Sequence, residues 1–185
     1  MERSRQNMMA LLSTKIVNFP IKYAHIYQPY YGGKLLRLTA SDFHTYHQPE
    51  MCESRVYLKA IGTHGADPSA YAEVLKRLGL HFEQQHLASF SNYLDLRGKT
   101  RTEREEETRA AVKRNESVIY QPALKAVHRI GTLEVEIVGD PDFLICEDGV
   151  YTIRDVKLAR RINETDHPEI LRQLELYGWL FQHSR

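Results

Sequence analysis

Long apolar runs, a cysteine framework and an excess of charge of one sign are all missing from this chain of 185 residues. A membrane-spanning helix needs about 20 consecutive apolar residues. The apolar stretch at residues 8–12 is stopped by Ser13, Thr14 and Lys15, so no span is expected. Two cysteines, Cys52 and Cys146, make no disulfide framework; without a secretory signal they fit a reducing cytoplasm. The net charge of +1 does not advertise nucleic-acid binding, so contacts with phosphate would have to rest on local clusters of Lys and Arg. No glycine-rich phosphate loop is present. Gly32-Gly33 lacks the surrounding pattern, which weighs against a nucleotide-binding enzyme. The length suits one compact domain with a core of its own.

The first half reads as an arm followed by helices. Tyr23, Tyr27, Tyr30 and Tyr31 in the arm could stack on bases or simply pack. Residues 34–38 read as a strand. Ser41 is expected to cap a helix that stops near Pro49, and a second short helix carries Cys52 to Leu58. Asp67-Pro68 reads as a helix start, with Gly79 ending that helix and another running from Leu80 to about Leu94. Residues 102–115 place acids early and bases late, as the helix dipole favours. From Ser117 the texture changes to β-branched and aromatic. Strands are expected at 117–120, 133–138, 143–146 and 150–157, before a helix opened by Pro168. Helices, then strands, then a helix describe an α/β or α+β core with a covered sheet.

Chemistry gathers on the last two strands. Asp148-Gly149 is a hairpin turn, because Asp-Gly supplies positive φ at low cost. Asp142 lies about six positions before that turn and Asp155 about six after it, so the two are expected opposite each other. Lys157, two residues beyond Asp155, shares its face, while Val156 points the other way. Two carboxylates and an ammonium are costly to bury together unless a cation offsets the charge. Mg²⁺ commonly uses one or two carboxylates with waters and substrate phosphate. Solvent-exposed cross-strand pairs, worth about 0–1 kcal/mol, explain the same residues equally well. Gln173 and Tyr177 sit four apart on the following helix, where they could hold a carboxylate or a nucleic-acid backbone. Glu83 lies beside a core-facing stripe and is a plausible third carboxylate.

Asp140-Pro141-Asp142-Phe143-Leu144, then Asp155-Val156-Lys157-Leu158-Ala159-Arg160, then Gln173 and Tyr177 together resemble the PD-(D/E)XK nuclease pattern of the RecB type. Val118-Ile119-Tyr120-Gln121 is similar to the strand that precedes the core in uncharacterised RecB-like nucleases, relatives of the CRISPR-associated RecB-type exonucleases. The resemblance runs from about Leu38 to Leu180. It implies a restriction-endonuclease-like fold, a central mixed sheet flanked by helices. Residues 1–116 would form the arm and the helical region with Glu83, and residues 117–185 the sheet core. It also implies that Glu83, Asp142 and Asp155 bind Mg²⁺ or Mn²⁺, that Lys157 is the catalytic lysine, and that Gln173 and Tyr177 support the site or touch DNA. DNA would be the substrate, and a helicase or RNase-H-like domain a partner. The family's histidine directly precedes the glutamate, but Phe82 holds that place here and His81 is one earlier, so no histidine ligand is carried over. Cys52 resembles the early ligand of an Fe–S cluster. One thiolate cannot hold a cluster, so none is expected and Cys52 is read as a packed thiol. The family's later strand, helix and cysteine region are not seen before Arg185, which leaves a sheet edge to be covered.

Two readings follow. In the first, the chain is a metal-dependent deoxyribonuclease of repair, recombination or defence, with Arg154, Arg160, Arg161 and Arg172 available to clamp the phosphate backbone. In the second, the same fold is a catalytically degenerate DNA-binding or scaffolding domain of a larger helicase–nuclease assembly.

Overall fold

The computed structural model describes residues 10–14, 36–60, 62, 63, 65, 67–130, 133–159, 162 and 165–184. The described elements open with two strands, β1 (Ala10–Thr14) and β2 (Leu36–Thr39), and three helices, α1 (Ala40–Tyr46), α2 (Glu53–Ala60) and α3 (Ala70–Leu87). A short β3 (Leu94–Asp95) leads into α4 (Arg101–Lys113). Then come β4 (Val118–Tyr120), β5 (Leu124–Ile130), β6 (Leu133–Gly139), β7 (Phe143–Glu147), β8 (Val150–Lys157) and α5 (Pro168–His183). The expected α/β class holds, with two mixed sheets where one was expected. A five-stranded sheet has the order β1-β8-β7-β4-β3, and a three-stranded sheet the order β2-β6-β5. Among the described strands, the β3–β4 and β2–β6 pairs are parallel and the others antiparallel.

The core forms around α5. Leu174, Leu176 and Leu180 of this helix are fully buried, in one cluster with Ile119, Leu144 and Ile153 of the larger sheet and Leu124, Val135 and Ile137 of the smaller. Gly139, at the end of β6, permits this closeness. A Cβ there would lie 2.7 Å from Tyr177 Cε1 and 2.8 Å from Leu180 Cδ1. The opposite face of the five-stranded sheet meets α3. Val118, Tyr120, Phe143, Ile145 and Val156 pack there with Leu87, Phe82 and Phe90. The strands therefore alternate as their pleat requires, and the two faces lead to two helices.

Several element boundaries differ from the sequence expectation. The first helix is capped by Thr39, whose amide and hydroxyl both donate to the Asp42 carboxylate, and not by Ser41. Ser69 caps α3, its hydroxyl accepting from the Ala72 amide, so Asp67-Pro68 lies just ahead of the helix. Gly79 does not end it. Nothing stands within 4 Å of the position a Cβ would take there, and α3 runs unbroken to Leu87. A glycine in a helix interior costs about 1 kcal/mol relative to alanine, which the other residues of the helix can absorb. The edge strand β5 and the N-terminal strand β1 had no counterpart in the sequence expectation. β1 pairs antiparallel with β8 and covers its outer edge, with Leu12 opposite Asp155. Among the described residues no helix is long and apolar enough to cross a membrane.

Candidate active site

The β7–β8 hairpin turns at Asp148 and Gly149, both with positive φ (52° and 77°), as expected for a two-residue turn that follows the strand twist. Its register pairs Phe143 with Arg154 and Glu147 with Val150. One step further, Asp142 falls opposite Asp155. Leu144 and Ile153 face the α5 side, so alternation sends Asp142 and Asp155 to that side as well. Asp142 Oδ2 accepts from the Val156 amide at 2.6 Å. Asp155 is 2 % exposed, and its Oδ2 lies 2.5 Å from the Lys157 ammonium. That oxygen is buried, and the ammonium is its partner.

Glu83 reaches this end of the sheet from α3, on the other face, and is buried. The Tyr120 hydroxyl and the Gln121 side-chain amide both donate to Glu83 Oε1, at 2.8 and 2.5 Å. Gln121 has a φ of +55°, a conformation uncommon for a residue with a side chain. There its backbone amide donates to the Asp142 carbonyl at 2.8 Å while its side chain holds Glu83. Gln121 thus ties two of the three carboxylate-bearing segments together.

The electrostatics record an imbalance. Burial, followed by Asp155 and then Glu83, pushes the Asp142 carboxyl well above the ordinary carboxylate range. Burial works against the Lys157 ammonium, but Asp155, Asp142 and Glu83 outweigh it and raise its pKa, so it stays charged. Among the described residues, three carboxylates therefore share one ammonium. On α5, Gln173 Nε2 donates to the Tyr177 hydroxyl at 3.1 Å, and that hydroxyl donates to the Asp140 carbonyl at 3.2 Å. The Asp140 carboxylate is gripped by Arg101 and Arg104 of α4, at 2.7 and 3.1 Å. The segment carrying Asp142 is thus braced from two helices.

The family model of the PD-(D/E)XK nuclease superfamily matches residues 34–185. The chain belongs to the PD-(D/E)XK nuclease superfamily. Membership points to a hydrolase acting on nucleic acids, in a superfamily that generally uses divalent metals such as Mg²⁺. Comparison with curated proteins and with solved structures found no match.

The residues singled out in this superfamily member fall into three groups. Asp142, Asp155 and Lys157 come together at the hairpin's open end, and Glu83 lies near enough to shift the Asp142 pKa. Among the described residues, no three His, Cys, Asp or Glu side chains are already arranged to hold an ion. Approach from opposite faces of the sheet accounts for that, since Glu83 is turned to Tyr120 and Gln121. Gln173 and Tyr177 are buried behind the Asp140 segment and do not line an open surface. A second group lies elsewhere. His81 is exposed and hydrogen-bonds Gln85, Arg172 pairs with Glu175 at 2.6 Å, and Cys52 is a half-buried free thiol. Arg154 shares the α3 side with Val156, its Nη1 3.4 Å from His86 Nε2. The third group, Arg160 and Arg161 together with the tyrosines of the arm, lies outside the described residues.

Sequence reading missed three neighbours of the site. Tyr120 and Gln121 had been noted only as part of a strand. Their sole sequence signal was a polar pair at the end of a buried strand. His44 on α1 had no signal at all. Burial, followed by the nearby Lys157, lowers its pKa.

Proposed function

We propose that the chain is a Mg²⁺- or Mn²⁺-dependent deoxyribonuclease of the RecB type. The observation that carries this reading is the gathering, among the described residues, of three carboxylates around the Lys157 ammonium at the open end of the β7–β8 hairpin. Excess negative charge in a low-dielectric position is unstable unless a cation offsets it. The donor set fits a hard divalent cation: Asp142 and Asp155 from adjacent strands, and Glu83, whose two hydrogen bonds both go to Oε1 and leave Oε2 for an ion. Such an ion supplies a bound water of lowered pKa and neutralises charge on the scissile phosphate.

The remaining residues have roles of their own. Lys157, held charged by its acidic neighbours and 29 % exposed, reaches a substrate phosphate and stabilises developing negative charge there. Asp155 fixes the direction of that ammonium. The Val156 amide orients Asp142, and Tyr120 with Gln121 orients Glu83. Gln173 and Tyr177 brace the Asp140–Asp142 segment from behind through the Asp140 carbonyl, so their role is support and not contact with DNA.

The test is cleavage of DNA by the purified chain with Mg²⁺ or Mn²⁺, repeated in excess chelator and with Lys157→Ala. Degradation that needs the metal and the lysine supports the reading. Degradation that survives both changes contradicts it. The lack of a ready-made group of three ligands favours one alternative, a degenerate DNA-binding domain on the same scaffold. That alternative predicts DNA binding without any cleavage.

A further inference from the structure

β3 (Leu94–Asp95) lies at the edge of the five-stranded sheet with Asp95 in register with Tyr120, between Tyr93 and the turn that carries Arg97. Alternate side chains therefore face opposite ways. Leu96 is fully buried, while Tyr93 is 37 % exposed and the Arg97 side chain 48 %. Tyr93, Asp95 and Arg97 share the outer side. Arg97 grips Asp95 with a fork: Nε donates to both carboxylate oxygens at 3.1 Å and Nη2 to Oδ2 at 2.6 Å. The guanidinium lies over the Tyr120 ring, its Cζ 4.8 Å from the ring centroid. Tyr93 meets the same ring edge-on, with centroids 6.5 Å apart. The Tyr120 hydroxyl in turn donates to Glu83 Oε1. A planar cation and an exposed aromatic ring are thus built onto the side chain that holds a candidate metal ligand.

The chemistry of this surface favours one occupant. Arg97's charge is already matched by Asp95, and the neighbouring site carries surplus negative charge, so a phosphate gains little here. Flat faces of a guanidinium and a phenol suit another flat, polarisable group, and every nucleobase has one. A base offers its face only when it is unpaired and unstacked. The geometry points to Tyr93 and Arg97 as a stacking subsite that seats an unpaired nucleobase beside the cleaved phosphodiester and makes single-stranded DNA the preferred substrate. This inference rests on the reading of the chain as a DNA nuclease and adds the strandedness of its substrate.

The test is fluorescence anisotropy with the full chain in excess chelator, so that binding is read without cleavage. The probes are a labelled oligothymidylate and a blunt-ended duplex. Tyr93→Ala is expected to weaken oligothymidylate binding by about 5- to 100-fold, the range seen when one stacking aromatic is removed. Tyr93→Phe is expected to keep it, since the ring and not the hydroxyl carries the contact. Duplex binding should not change in either variant. Oligothymidylate affinity that stays at the parent value in Tyr93→Ala overturns the subsite, as does an equal loss for both probes. If the parent degrades DNA with Mn²⁺ in the same preparation, the nuclease reading survives either result. If the parent binds neither probe and degrades nothing, both readings fall.

Discussion

The two sheets handle charge in opposite ways. On the three-stranded sheet Glu136 lies between two bases, and one of these also reaches Glu105 of α4. Arg37 pairs with Glu136 at 3.2 Å, and Lys125 lies 2.9 Å from Glu105 and 3.9 Å from Glu136. At the open end of the β7–β8 hairpin, Asp142, Asp155 and Glu83 gather around Lys157 among the described residues. Balanced ladders of the first kind contribute little, roughly 0–1 kcal/mol per exposed pair, and they fit a structural role. Like charges gathered in a partly buried place cost stability. They persist where something outside the chain offsets them or where chemistry needs them. The contrast supports the proposed placement of function on the larger sheet.

The comparison can be broken in several ways. The largest effect is expected from Asp155→Asn: loss of DNA cleavage by about 100-fold or more, with a raised midpoint of thermal unfolding because one of the crowded charges is gone. Lower stability in that variant would show that Asp155 is a structural partner of Lys157 and not part of a surplus. Next is Gly139→Ala, which drives a Cβ into Tyr177 and Leu180 where the smaller sheet meets α5. A cost of about 1–3 kcal/mol, the usual range for overpacking, should appear in urea unfolding.

A third effect follows from Asp142. A carboxyl whose pKa is raised on folding keeps its proton in the folded chain when the unfolded chain has lost it. Its contribution to stability is therefore lost as pH climbs above about 4. In chelator, thermal stability should decline from mildly acidic to neutral pH, and Asp142→Asn should flatten that decline. Gly79→Ala comes next, with a gain of about 0.5–1 kcal/mol from an exposed helix interior. Arg37→Ala, on the balanced sheet, should change stability by no more than about 0.5 kcal/mol. A large loss there would erase the distinction between the two sheets.

Legibility followed the range of the interactions. The β7–β8 hairpin could be read because Asp148-Gly149 fixes the turn, the turn fixes the register, and the register places Asp142 opposite Asp155. Pro168 and the apolar spacing gave α5 for similarly local reasons. β5 was missed because Lys125, His128 and Arg129 blur its pattern; it is an edge strand, and its stability comes from pairing with β6. The cover that β1 gives β8 is a contact across about 140 positions of chain, and no local signal announces it. Gly79 misled because its cost is about 1 kcal/mol, too small to end a helix that Ser69 caps and Leu87 anchors. Glu83 could be singled out in the sequence, but its hydrogen-bond partners could not. Their roles depend on the positive φ of Gln121 and on a strand end that meets α3 only in three dimensions.

A calorimetric titration of the parent chain and of Asp142→Asn with Mn²⁺ tests the central claim most directly. Saturable binding by the parent and its loss in the variant, with both proteins folded, is the expected result. An absence of heat for the parent, or the same isotherm for both, would mean that the crowded carboxylates hold no ion.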